Sequence, residues 1–515
     1  MSNSSKDTKK VSFIEKVGSK IPDPVLIFIG LFVIVMLLSA VSGGLTFETL
    51  NKDGSTTVNT IKNMFTTENI RWLFDNALTT NWLSFSGGIL GTILIIMFGI
   101  GVAEESGLFS ALIKKLGGNI PEAILPYILV LLGILSNIAS DAGYLVLIPL
   151  AGLLYLGLKK NPLIGMFAAF AGVSAGFSAN LVPATIVDVI IGSNAAGFAA
   201  SQDVPFVSYL GKDLNPATMH YYFMLASTFL LVLLGGFVTN RFVRPRFEKM
   251  DYVVPEDMHL ESYDVTPEEN KGLKWSLVGL ILSGLFVLFM AFGPLKTYTN
   301  PETGSKVTPF TNNIILLITF MFFMTGAFYG YGAGKFKKVQ DLVTAMSKQL
   351  GTMGYVLVLT FFSYNFLALL TYTGFGTYIT YLGANALEAM GLSNSPTLMI
   401  IAFILITAII NLFVGGLTSK WMLLGPIFVP MLYQANPNMT PDVVAAAYRL
   451  ADSSTNIITP LMSYAGVILV YLKKYKPDFT IGNMIRSMFP YSITFLVAWT
   501  GLLLAFIGFG IPLGF

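Results

Sequence analysis

The sequence predicts an all-α polytopic membrane protein, built as two inverted repeats with nine transmembrane helices and two opposed re-entrant hairpins. Three observations carry that expectation. The 515 residues are 54% hydrophobic and only 11% charged, with a mean hydropathy of +0.70, whereas soluble domains carry roughly 25% charged residues. Apolar stretches recur along the whole chain, and two of them are too long for one crossing yet too short for two. Small polar residues interrupt four of the stretches at matched places in the two halves.

The stretches fall near 25–44, 83–103, 122–158, 162–192, 220–240, 275–294, 312–333, 350–372, 397–432, 443–472 and 488–511. A bilayer core takes about 20 apolar residues per helix. The first stretch follows a polar, basic tail over 1–24, with Lys6, Lys9, Lys10, Lys16 and Lys20. It is too long for a signal-peptide core and lacks a small-residue cleavage site, so it reads as a retained helix. Stretches 122–158 and 397–432 are interrupted by Ser136-Asn137-Ile138-Ala139-Ser140-Asp141-Ala142-Gly143 and by Gly415-Gly416-Leu417-Thr418-Ser419-Lys420. These two read as hairpins that enter and leave on one side, and the other nine as crossings. With the N-terminus inside, cytoplasmic segments hold 23 of the 31 Lys and Arg residues and outside segments six, in accord with the positive-inside rule. Reading either hairpin as two crossings leaves that count unchanged.

The order helix, helix, hairpin, broken helix, helix occurs over 25–241 and again over 312–515, with the hairpin entering from the opposite side. A cytoplasmic loop and linking helix, 242–311, join the repeats. The broken helices (162–192 and 443–472) share a motif: Ser178-Ala179-Asn180-Leu181-Val182-Pro183 matches Ser454-Thr455-Asn456-Ile457-Ile458-Thr459-Pro460 as Ser-x-Asn, two aliphatics and a proline. Inverted repeats whose discontinuous helices meet near the bilayer midplane characterise secondary ion transporters. Residues 45–82 are polar and outside, with an amphipathic piece at Thr60–Leu78. Residues 241–274 read as a solvated linker, basic and then acidic (Glu256, Asp257, Glu261, Asp264, Glu268, Glu269). Gly87, Gly88, Gly91 and Tyr329-Gly330-Tyr331-Gly332 read as helix-packing surfaces.

The second broken helix carries the most chemistry. Tyr448-Arg449-Leu450-Ala451-Asp452-Ser453-Ser454-Thr455-Asn456 places charge at membrane depth, where each ion costs at least ~2.5 kcal/mol on insertion scales. It survives only where it faces protein or a watery cavity. One explanation is a transport site; the other is a buried structural ion pair between Arg449 and Asp452, three residues apart on one helix. The amide oxygens of Asn137, Asn180, Asn411 and Asn456, with the Asp452 carboxylate, suit a small hard cation, and each Asn can equally cap its own helix break. Helix N-termini at the breaks favour a carboxylate. The tip residues Ser140 and Ser419 stand at equivalent places, with Thr418 beside Ser419. Arg449 stays charged and its fork fits a carboxylate. Trp421 is placed to stack on an aromatic ring or to anchor a hairpin at the interface. Asp188 is a candidate proton carrier, or a buried partner for Lys420 or Arg449.

Other classes fare worse. There is no cysteine, which excludes disulfides and thiol chemistry, and His220 and His259 are the only histidines, too far apart in sequence to suggest a metal site. No phosphate loop, His-Glu-x-x-His motif or nucleic-acid patch occurs. No cofactor is expected beyond a coupling Na+ or H+. An intramembrane aspartyl protease would need two of Asp141, Asp188 and Asp452 as a pair, and a passive channel would need no coupling site.

With these residues in view, the chain resembles the p-aminobenzoyl-glutamate transporter (AbgT) family. The resemblance rests on Ser136–Pro149 (SNIASDAGYLVLIP), Ser174–Leu181 (SAGFSANL), Asn411–Pro430 (NLFVGGLTSKWMLLGPIFVP) and Ala447–Pro460 (AYRLADSSTNIITP). It implies nine helices with two opposed hairpins, a homodimer in the cytoplasmic membrane, and a small-molecule carboxylate substrate. It implicates Asp188, Thr418, Trp421, Pro441, Arg449 and Asp452 in transport, and a sodium site at Asn411, Gly415, Asp452 and Asn456. Substrates implied are p-aminobenzoyl-glutamate and, by export, sulfonamide antimetabolites. Pro183-Ala184-Thr185 and Gly416-Leu417-Thr418 depart from the family pattern, and the departure bears on the substrate rather than the repeat.

Overall fold

The computed structural model describes residues 23–50, 56–85, 89–117, 121–139, 143–254, 265–299, 306–307, 309–351, 353–414, 416–459, 462 and 464–515, and they are mostly helical. Helix α1 (Pro24–Ser42) starts where proline is best tolerated, and Asp23 caps it by accepting from the Val25 N–H at 2.8 Å. An antiparallel hairpin of β1 (Thr46–Leu50) and β2 (Thr56–Thr60) follows. After it comes α2 (Thr67–Asn76), amphipathic and capped by Thr66. Then come α3 (Ile89–Glu105) and α4 (Leu108–Gly117).

The expected hairpin 122–158 is a pair of short helices, α5 (Leu125–Ser136) and α6 (Ile148–Gly157). At 1.5 Å per residue they reach only about 18 and 15 Å, against a bilayer core of about 30 Å. The first broken helix is α7 (Pro162–Phe170), widened into a π turn over Ala171–Ala175, and then α8 (Ile186–Ala200). It runs past the expected end at 192 because Asn194 satisfies its own amide on the Ile190 carbonyl at 2.7 Å, so that polar residue does not stop the helix. Next are α9 (Tyr221–Phe247) and the linking α10 (Pro267–Phe292). The linking helix begins earlier than expected, at a Thr266–Glu269 capping box.

In the second half lie α11 (Ile314–Gly332), α12 (Val339–Gly351), α13 (Gly354–Thr373) and α14 (Phe375–Ala389). The expected hairpin 397–432 is α15 (Pro396–Asn411) and α16 (Leu417–Ala435). The second broken helix is α17 (Pro441–Asn456) and α18 (Ala465–Tyr475), and α19 (Ile481–Gly508) follows. Helices α1, α9, α10, α11, α13 and α19 are each long and apolar enough to cross a membrane. The other three expected crossings are α3 and the two broken helices.

Packing repeats between the halves. Helices α5 and α6 both pack on α7, and α15 and α16 both pack on α17. Close approach explains the first set: a Cβ on Gly133 would lie 2.6 Å from the Val173 nitrogen, and one on Gly172 would lie 2.3 Å from the Val130 carbonyl oxygen. Of the glycines expected to pack, Gly330 and Gly332 face Phe336 and Trp275 at 2.2 and 2.6 Å from a built Cβ. Gly91 faces open space instead, and Gly87 and Gly88 lie outside the described residues. Helices α4, α12 and α14 escape hydropathy reading because they are apolar on one face only. They also fall in register: α2 and α12 precede the second helix of each half, and α4 and α14 follow it. Asp341 starts α12 by accepting from the Lys337 and Lys338 N–H groups at 2.7 and 2.9 Å. Those two amides hold its carboxyl below the usual carboxylate range.

Candidate functional site

The two helix breaks meet in the interior. Ser453 Oγ donates to Ser178 Oγ at 2.7 Å, joining the end of α17 to the break after α7. Asn180 spends its amide oxygen on its own break, accepting from Leu181 N and Val182 N at 2.9 and 3.1 Å, which fills the capping role. Asn137 and Asn456 face a shared cavity of about 230 Å³, whose wall includes Tyr144, Tyr464, Phe177 and Leu417. Asn137 is 5% exposed, and its Oδ1 has no hydrogen-bond partner among the described residues. A buried acceptor left this way costs on the order of 1–3 kcal/mol, so it marks a place where a donor is wanted. Tyr144 and Tyr464 stack with ring centroids 4.4 Å apart at 9°, bringing the first hairpin onto the second broken helix.

Below the second tip lies a buried charge pair. Gly416 has φ of +81°, a conformation open to glycine, and it starts α16. That start turns Lys420 inward. Its Nζ stands 2.5 Å from Asp452 Oδ1 and also meets Asn411 Oδ1. Asn411 Nδ2 donates to the Asp452 carbonyl at 2.6 Å and to Thr455 Oγ1 at 2.8 Å. Lys420 is 1% exposed and Asp452 fully buried. Thus Asn411 and Asp452, expected to hold sodium, do converge, but around a cation that the chain itself supplies. Asn456 turns to the cavity instead, and Gly415 lies outside the described residues. These oxygens do not fit a sodium ion while the ammonium is among them.

The second pair joins the halves. Arg449 Nη2 lies 2.7 Å from Asp188 Oδ1, with both side chains at least 95% buried. Asp188 Oδ2 accepts from the Thr185 N–H and hydroxyl, each at 2.8 Å, closing a capping box at the start of α8. Arg449 Nη1 approaches His220 Nδ1 at 3.2 Å, and His220 Nε2 lies 2.8 Å from the Asp442 carbonyl. A carbonyl only accepts, so Nε2 carries the hydrogen and Nδ1 accepts from the guanidinium. Arg449 Nε has no hydrogen-bond partner among the described residues.

Several expectations are thereby corrected. Arg449 and Asp452 do not pair with each other, because residues three apart point about 60° from one another around the helix and each meets a better partner on a neighbouring element. Trp421 is neither an interface anchor nor open for stacking. It is fully buried between Phe198 and Tyr448, and its Nε1–H donates to the Ile191 carbonyl at 3.1 Å. Thr418 is half-buried and Ser419 buried, and neither belongs to the cavity wall. Ser140 and Asp141 lie outside the described residues. Pro441 is the first residue of α17, where its missing N–H costs nothing. Asp188 and Asp452 each face a base, so those two do not form the acid dyad a protease needs. Sequence reasoning missed His220, Asp442, Lys420 as a site member, and the Tyr144–Tyr464 stack. The available signal for His220 was a lone histidine opening an apolar stretch.

A helical, multi-pass protein whose broken helices bury two pairs of opposite charges near a small cavity is a membrane transporter. The chain belongs to the AbgT transporter family, which matches residues 9–515. It is 28% identical to the p-aminobenzoyl-glutamate transport protein of Escherichia coli K12, over 99% of this chain and 97% of that one. Two solved structures resemble it, each at 34% identity. The YdaH transporter of Alcanivorax borkumensis, reported for its unusual topology, aligns with a TM-score of 0.83 over 96% of this chain and 100% of its own. MtrF of Neisseria gonorrhoeae, reported as illuminating a class of antimetabolite efflux pumps, aligns with a TM-score of 0.81 over 95% and 96%.

Removing one member of a buried pair strands the other, at a cost of about 3–5 kcal/mol. Asp452→Asn should therefore lower the melting temperature of the purified protein sharply, and adding Lys420→Met should recover part of the loss. Thermal melts of the two single variants and the double variant check this; losses that simply add would show that the pair is not coupled.

Proposed function

We propose that the chain is an ion-coupled secondary transporter of p-aminobenzoyl-glutamate or a related aromatic or peptidic carboxylate. The observation that carries this reading is Arg449: a buried guanidinium midway along α17, held by one carboxylate and one imidazole, with its Nε left over. Its planar fork suits a second carboxylate better than a point charge would. A solute carboxylate arriving there competes with Asp188 for the guanidinium, so the solute's entry leaves one negative charge in excess, which a coupled cation would offset. In the cavity that Val187, the sequence neighbour of Asp188, helps to line, the faces of Tyr144, Tyr464 and Phe177 suit an aromatic ring, and Asn137 Oδ1 suits an amide N–H. The name of the Escherichia coli relative supports the same substrate class.

The architecture proposed with it has nine crossings, α5–α6 and α15–α16 as re-entrant hairpins of opposite entry, and repeats at 25–241 and 312–515. It places the N-terminus in the cytoplasm and the chain in the cytoplasmic membrane as a homodimer. The short arms of the first hairpin and the shared packing on α7 and α17 support this arrangement. The side chains of Leu277, Leu285 and Phe289 stay exposed on α10, as a helix facing lipid or a second copy requires. Reconstituted protein should accumulate labelled p-aminobenzoyl-glutamate under an imposed sodium or proton gradient, and Arg449→Ala, which strands Asp188 and lowers stability, should abolish that uptake in the fraction that gel filtration shows to be folded. Uptake unaltered by Arg449→Ala would remove the residue from the site.

A second reading makes the same carrier a proton-driven exporter of sulfonamide-type antimetabolites. It is favoured by the Asp188 carboxylate, the counter-charge of Arg449: a proton there would free the guanidinium. The description of the Neisseria gonorrhoeae structure points the same way. In cells lacking their own exporters, Asp188→Asn should remove the sulfonamide resistance that the wild-type chain confers, as read by growth inhibition. Resistance at the wild-type level would contradict this role.

A further inference from the structure

We infer that Lys420 is a tethered cation occupying an alkali-cation site, so that the ammonium, and not a dissolved sodium ion, fills the Asn411–Asp452 cluster in this conformation. Three observations bear on it. The Lys420 ammonium meets one amide oxygen and one carboxylate oxygen in a fully buried cluster, the oxygen types a hard cation takes. Asn411 is oriented for this by donating both to a carbonyl and to Thr455 Oγ1, which leaves its own carbonyl oxygen pointing at the cation. Lysine is also in an unfavourable place there. Lys420 is the fourth residue of α16, and the positive end of a helix dipole repels a cation within the first turn. Nothing local favours a lysine at that position; the acid on the neighbouring helix does.

The consequence is competitive. A sodium ion entering the cluster would have to expel the ammonium, and an expelled Lys420 would have no counter-charge in a dry interior. The ammonium travels with the second hairpin because it is part of it, and it links the tip to α17 whenever the tip is seated. Truncating the side chain removes the competitor and leaves the Asn411 amide oxygen and the Asp452 carboxylate beside a vacated volume. That volume, with one negative charge, suits sodium.

This inference deepens the coupling half of the transport reading, and a melting assay without substrate separates the two. Full-length protein in detergent is melted across a sodium chloride titration at constant ionic strength, with choline chloride making up the balance. Lys420→Ala should gain a saturable sodium-dependent rise in melting temperature at least ~2 °C larger than any wild-type response. Adding Asp452→Asn should abolish the gain. If Lys420→Ala does not fold, Lys420→Ser tests the same vacated volume with a short polar side chain. Equal responses in the wild type and the truncated variant, whether both flat or both sodium-dependent, would overturn the inference. A gain that survives Asp452→Asn would also overturn it, since the ion would then sit elsewhere.

Discussion

The interior depends on keeping two acids and two bases neutralised where no bulk water reaches. Lys420 with Asp452 and Arg449 with Asp188 are all at least 95% buried, and desolvation costs several kcal/mol for each ion. Such charges persist only if the backbone brings opposite signs together from distant parts of the chain. It does so twice. One pair links the second hairpin to α17 and the other links α17 to the start of α8. Helix α17 is therefore the post to which a hairpin of its own half and a broken helix of the other half are both fastened.

That arrangement connects structure to movement. A carrier that alternates access must part some of these contacts, and an apolar interface slides more cheaply than an ion pair breaks. On the proposed transport reading, the pairs make this arrangement conditional: it holds while each charge has its partner and would loosen when a solute carboxylate or a proton displaces one. His220 adds a direction to this. Its Nε2–H is committed to the Asp442 carbonyl, so the ring presents a lone pair to Arg449 and stabilises the guanidinium without neutralising it.

Much of the fold was legible in the sequence because hydropathy is a long-range, repeated signal. The two Ser-x-Asn breaks, the long interrupted stretches and the lysine distribution all pointed to matched halves, and the helices fall where the apolar runs do. Short amphipathic helices such as α4 and α12 were not legible, since half of each is polar. In the site, the polar residue types were visible but their partners were not. Arg449 and Asp452 are close in sequence and invited pairing, whereas their true partners, Asp188 and Lys420, are 261 and 32 residues away along the chain. Trp421 looked available because tryptophan near a tip often is; burial between Phe198 and Tyr448 could be seen only in three dimensions. The orphaned Asn137 oxygen likewise has no counterpart in sequence.

The central claim is that Asp188 and the solute carboxylate compete for Arg449. The most direct measurement is the affinity of purified protein for p-aminobenzoyl-glutamate, by calorimetry, in the wild type and in Asp188→Asn. Competition predicts that removing the Asp188 charge tightens binding by about tenfold, or ~1.4 kcal/mol, because the guanidinium no longer has to be released. Binding that weakens in Asp188→Asn would contradict it and make Asp188 a support of the solute rather than its rival.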